Sequence, residues 1–81
     1  MAMLRVLSAL GDTAIQWDQQ KAEAGDPEAL AALREAERIF AEQRAGGATA
    51  VRVGAGHPAE RLERFDPAAE QVVVVPRVAG G

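Results

Sequence analysis

The residues with the most chemical promise close the 81-residue chain, in the block Pro76-Arg77-Val78-Ala79-Gly80-Gly81. Two glycines carry no side chain over the last ~7 Å of chain, at ~3.5 Å per residue. Such a terminus can lie extended in a narrow channel and bring its carboxylate to a site that any Cβ would obstruct. That is what an adenylating enzyme needs when a protein's terminal carboxylate is the reacting group. The plain alternative is a Gly-Gly end without a role. Glycine makes up 8 of 81 residues, so chance gives such an end roughly once in a hundred chains.

The other reactive side chains are sparse. There is no cysteine, and His57 is the only histidine. A zinc site of the usual ligand types is therefore not expected, and no metal ligands are assigned. Gly54-Ala55-Gly56 is a G-x-G after a strand pattern, but no helix signal with a third glycine follows, so it reads as a loop and not a phosphate cradle. Asp12 and Asp18 are read as a turn residue and a strand-end residue rather than a catalytic carboxylate pair. Trp17, the only tryptophan, is expected to be partly buried in the core. No catalytic residue is assigned, and the chain is expected not to be an enzyme.

Length argues for one domain. Of the apolar residues 18 are Ala; the rest are 8 Val, 6 Leu, 2 Ile, 2 Met, 2 Phe and 1 Trp. That suffices for one core between a sheet and a helix, and a buried enzyme cleft is hard to fit beside it. A formal charge of −3 argues against a nucleic-acid partner. No segment approaches the ~20 apolar residues of a membrane span, and Met1-Ala2-Met3-Leu4-Arg5 lacks the pattern of a signal peptide. The absence of cysteine fits a cytoplasmic protein.

The elements that must carry the tail follow from local signals. Residues 3–10 and 13–17 read as two strands of a hairpin, turned at Gly11-Asp12. Residues 18–25 read as a loop or a weak helical turn. Asp26-Pro27-Glu28 supplies a cap, a proline at the first helical position and an acid in the first turn. The helix it starts runs to Arg44, with Ala29, Leu33, Ala36 and Phe40 on one stripe, and stops at Gly46-Gly47. Residues 48–53 read as a third strand and 54–58 as a loop. Residues 61–65 suit either a short strand or a helical turn, and Asp66-Pro67 repeats the helix-start signal for a single turn. The run Val72-Val73-Val74-Val75 predicts a central strand buried on both faces, ended by Pro76. The predicted core centres on Leu4, Val6, Ile15, Leu33, Phe40, Val51 and the valine run.

With this element order and this ending, the chain resembles the β-grasp superfamily of ubiquitin-like proteins. Pro76, Val78, Ala79, Gly80 and Gly81 match the closing Pro-Pro-Val-(Ala/Ser)-Gly-Gly of the molybdopterin synthase small subunit, with Arg77 replacing the second proline. Val75, Arg77, Gly80 and Gly81 match the closing Val-Leu-Arg-Leu-Arg-Gly-Gly of ubiquitin, with Val78 a conservative change and Ala79 in place of the second arginine. The resemblance implies an α+β, β-grasp fold with a mixed four- to five-stranded sheet on one helix. It divides the chain into a domain over 1–76 and a flexible tail over 77–81.

It also implies a chemistry. An ATP-dependent, E1-like adenylating enzyme would activate the Gly81 carboxylate, reading Pro76, Arg77, Val78 and Ala79 on the way. ATP belongs to that enzyme, and no cofactor is bound by this chain. The first expectation is a ubiquitin-like, bacterial-type modifier. An E2-like conjugating enzyme would join it to lysines of target proteins, and a JAB-type protease could remove it. The alternative is a sulfur carrier of the molybdopterin or thiamine type, bearing a thiocarboxylate on Gly81. A third reading is an interaction module whose tail is never activated. In ubiquitin the arginine matching Arg77 is read by the activating enzyme, and this tilts the expectation towards a modifier. The single lysine, Lys21, implies little self-conjugation, and the chain is expected to be a monomer.

Overall fold

The computed structural model describes residues 1–7 and 11–76. The proposed extension of the first strand to Leu10, and Arg77, Val78, Ala79, Gly80 and Gly81, lie outside the described residues. The elements are β1 (Ala2–Val6), β2 (Thr13–Trp17), α1 (Gln19–Glu23), α2 (Pro27–Ala45), β3 (Thr49–Gly54), β4 (His57–Leu62) and β5 (Gln71–Val75). The sheet order is β2-β1-β5-β3-β4. β1 and β5 run parallel; the other neighbours are antiparallel. This is the expected α+β, β-grasp-like topology, a mixed five-stranded sheet on one long helix.

Pairing carries a single core. Val6, Val74 and Ala50 lie abreast on β1, β5 and β3, and Leu4 pairs with Ile15 on β2 and Val72 on β5. Alternate residues of a strand face opposite sides, so Ala2, Leu4, Val6, Trp17, Ala50, Val72 and Val74 share the face that meets Ala36 and Phe40 of α2. Leu4, Val72 and Val74 are fully enclosed. Phe65 bridges Phe40 and Trp17, at ring-centroid distances of 5.6 and 5.7 Å. Trp17 is thus a buried core residue. Ile15 and Leu33 pack on this cluster half-buried.

Two expectations about the core need correction. The valine run is central in the sheet, but it is not buried on both faces. Val72 and Val74 are enclosed while Val73 is half-buried and Val75 is 44% exposed. Val51 pairs with Val73 and so stands on that outer face, not in the core. The reason is the number of layers: α2 covers one face of the sheet and no described element covers the other.

Local chemistry explains α2. The Asp26 carboxylate accepts the Ala29 N–H at 3.0 Å, with Pro27 at the first helical position. Gly47 turns the chain out of the helix at φ 93°. On the solvent face Arg38 pairs with Glu35 and, at 2.6 Å, with Glu42. The hydrogen bond from Arg38 holds the Glu35 carboxyl below its ordinary value. Its small contribution is therefore present above the ordinary carboxylate range and fades as pH falls through the depressed value. In a carboxyl NMR titration, Glu35 is expected to protonate below the ordinary glutamate range. Arg38→Gln is expected to move it back up.

In three short segments the structure selects among the forms the sequence allowed and shifts their bounds. Residues 18–25 contain a helix, α1, capped by Asp18, whose carboxylate accepts the Lys21 N–H at 3.1 Å. Asp18 is thus a helix cap, not a strand-end residue. β4 begins at His57, inside the expected loop, and includes 61–62 of the ambiguous segment. Pro58 fits there because β4 is an edge strand with nothing to bond on one side. Asp66-Pro67 starts one hydrogen-bonded turn and no helix: Ala69 N–H reaches the Asp66 carbonyl at 3.2 Å, and the Asp66 carboxylate accepts the Ala68 N–H at 3.0 Å.

Candidate functional site

The sequence singles out the tail, and the described structure shows what it departs from. β5 is hydrogen-bonded on both sides. Leu7 N–H donates to the Val74 carbonyl at 2.9 Å, and Val75 pairs with Thr49 at the start of β3. Pro76 follows, half-buried, and lacks the N–H that would continue the ladder. The root of the tail is therefore clamped at the middle of the sheet. Of the proposed recognition residues the structure places Pro76 alone; Arg77, Val78, Ala79, Gly80 and Gly81 lie outside the described residues.

The surface beside this root was not read from the sequence. Arg5, Val73, Val51 and Arg61 stand abreast on β1, β5, β3 and β4. This row crosses the uncovered face of the sheet. Val75 lies on the same face, two residues further along β5 and next to Pro76. The face is thus an aliphatic strip with a guanidinium at each end, running up to the point where the tail leaves. Among the described residues Arg5 Nη2 donates to the Met3 sulfur at 3.7 Å, and its Nε is enclosed without an acceptor there. The ion pairs among the described residues involve Arg38 and Arg52, and neither Arg5 nor Arg61 takes part in one. The signal for this face was present in strand parity: Arg5, Val51, Val53, Val73 and Val75 all fall opposite to the buried positions.

The remaining candidates have structural roles. Gly54-Ala55-Gly56 forms the β3–β4 hairpin turn, with Gly56 at φ 76°. A side chain is strained in that conformation, and the Glu70 carboxylate accepts the Ala55 N–H at 3.4 Å. His57 opens β4, exposed, at the rim of a cleft of about 260 Å³ shared with Arg52, Asp66 and Glu70. Arg52 is already engaged there, with Asp66 at 3.1 Å and with Glu60. The Asp66 hydrogen bond and the Glu60 charge raise its affinity for its proton. Asp12 is exposed just before β2 and Asp18 caps the helix after it, so they stand at opposite ends of that strand. No helix of the described residues is long and apolar enough to cross a membrane.

What this geometry offers chemically is a display. Among the described residues it consists of a strand end bonded on both sides and, beside it, an apolar face with cationic ends. Comparison with protein-family models, with curated proteins and with solved structures finds no match for the chain.

Proposed function

We propose that this chain is a ubiquitin-like modifier whose Gly81 carboxylate is the reacting group. The observation that carries the reading is the Gly80-Gly81 ending placed six residues after the central strand of a β-grasp-like sheet. The β5 ladder fixes where the segment starts, and the glycines remove the side chains that would bar a narrow active site. In a partner enzyme the Gly81 carboxylate oxygen attacks the α-phosphorus of ATP. Pyrophosphate leaves and an acyl adenylate forms. A thiol of the enzyme then displaces AMP, a thiol of an E2-like conjugating enzyme takes over the acyl group, and a lysine amine of the target displaces that thiol, leaving an isopeptide bond. These steps take place in cytoplasmic partners. They require that Gly81 carry a free carboxylate in the mature protein.

A second reading rests on Pro76, Val78 and Ala79. They match the molybdopterin-synthase type of ending, in which sulfide-level sulfur from a donor displaces AMP and gives a thiocarboxylate. Both readings share the activated acyl group, so that group is tested first. The protein is incubated with a lysate of its source cells, ATP and hydroxylamine. The expected product is the Gly81 hydroxamate, formed only with ATP. Hydroxamate formation independent of ATP, or none in a lysate shown to conjugate or sulfurate its own Gly-Gly proteins, would leave the third reading, an unactivated interaction module.

The apolar face gives a second check. Val75 is exposed and adjoins Pro76, so it suits contact with the activating enzyme. Val75→Asp is expected to lower the melting temperature by several degrees, the scale of strand preference, and, well below that temperature, to slow hydroxamate formation about tenfold. An unchanged rate would remove this face from recognition.

A further inference from the structure

The two edges of the sheet are built differently. The β4 edge is blunted in the usual ways: it contains Pro58, the charges of Glu60 and Arg61, and a register shift between Arg52 and Gly54. The β2 edge has none of these. Its sequence is Thr-Ala-Ile-Gln-Trp, with no charge and no proline, in unbroken register with β1.

The hydrogen bonds show which groups β2 leaves free. Met3 N–H donates to Glu70 and Leu7 N–H to Val74, so the odd residues of β1 bond β5 and the even ones bond β2. Ala2, Leu4 and Val6 pair with Trp17, Ile15 and Thr13. The alternation of an antiparallel ladder then turns the N–H and C=O groups of Ala14 and Gln16 outward. Both residues are exposed, with small or neutral side chains. Asp12 and Asp18 bracket the strand, one at each end. On the adjoining α1, the charge of Lys21 is offset by Glu23.

We propose that the β2 edge is a docking site for an extended segment of another protein, one with small or β-branched residues at its centre and a basic residue at each end. Main-chain bonds to Ala14 and Gln16 would extend the sheet by a strand, and the two aspartates would select the flanking charges. A second copy of this chain is the poorer occupant in the registers that use the whole strand. Antiparallel self-pairing centred on Ile15 sets Asp12 opposite Asp18 at both ends, and parallel self-pairing sets each aspartate against its own counterpart. Like charges placed directly opposite are destabilising.

The test titrates the ¹⁵N-labelled full chain with the peptide Lys-Thr-Val-Thr-Val-Thr-Lys. The amides of Ala14 and Gln16 are expected to shift and to exchange with solvent about tenfold more slowly, since each gains an acceptor. A twin peptide with glutamate ends is expected to bind about tenfold more weakly at low salt, a difference that shrinks as salt is added. A third peptide, N-methylated at alternate residues, is expected not to bind, because its bonding edge is blocked. Asp12→Lys is expected to narrow the preference between the first two peptides. The proposal is overturned if millimolar peptide leaves Ala14 and Gln16 unmoved. It is also overturned if the glutamate twin or the methylated peptide binds equally, if the shifts centre on β4 or the Val73 face, or if β2 pairs with itself in a dimer.

Discussion

Phe40→Ala is expected to lower the free energy of unfolding by about 3–5 kcal/mol, the usual cost of removing a buried aromatic side chain and leaving its cavity. Phe40 is 4% exposed and meets Phe65 edge to face, and Phe65 in turn meets Trp17. The substitution therefore unsupports a chain of three rings as well as α2. At ~0.05–0.15 kcal/mol per residue, a domain of this length has a total stability of about 4–12 kcal/mol. The loss is thus a large share of the whole, and the variant is expected to be partly unfolded at 37 °C. Urea unfolding followed by Trp17 fluorescence measures it directly. Phe40→Leu keeps most of the volume and is expected to cost about 1–2 kcal/mol. A cost below 1 kcal/mol for alanine would mean that the ring does not hold the helix to the sheet.

The largest expected functional effect falls on the tail. Gly81→Ala, Gly80→Ala and an added residue after Gly81 are each expected to leave the melting temperature unchanged, because all three lie beyond β5 in sequence. Each is expected to slow ATP-dependent activation about a hundredfold or more, the scale on which small misplacements of a reacting group act. Hydroxamate formation by each variant is compared with the parent in the same lysate. If the extended chain reacts as fast as the parent, either a protease trims it back to Gly81 or Gly81 is not the reacting group. The intact mass of the recovered protein distinguishes these. Arg77→Ala tests recognition separately. It is expected to raise the concentration needed for half-maximal activation and to leave the maximal rate largely intact, because the side chain is offered to the enzyme and not to the reacting atoms.

The parts of the fold legible in the sequence are those whose signals are local and redundant. Asp26, Pro27 and Gly47 frame α2 from both ends, and the stripe through Ala36 and Phe40 says which face is buried. The last strand was legible from its valines, but their burial was not. A continuous run carries no parity, and only the layer count shows that Val73 and Val75 face outward. The side taken by Val51 is hidden for the same reason, since it is fixed by pairing with Val73 across the sheet and not by its sequence neighbours. α1 is five residues long, too short to display a helical period, so its only sequence signal was the Asp18 cap. β4 lacks alternation because almost all of it is exposed at an edge. The tail is read from its sequence motif alone; of that block the structure describes Pro76, next to the end of β5.

The most direct test of the central claim is the fate of Gly81 in a lysate of the source cells supplied with ATP, read by intact mass and by tryptic digestion. Cleavage after Arg77 would leave Val-Ala-Gly-Gly on any lysine joined to Gly81. The modifier reading predicts that remnant on lysines of other proteins, appearing only with ATP and absent for Gly81→Ala. Free protein with one terminal oxygen replaced by sulfur, and no remnant on any lysine, would contradict it in favour of a carrier. A chain recovered unaltered from a lysate with demonstrated activating activity towards it would contradict both.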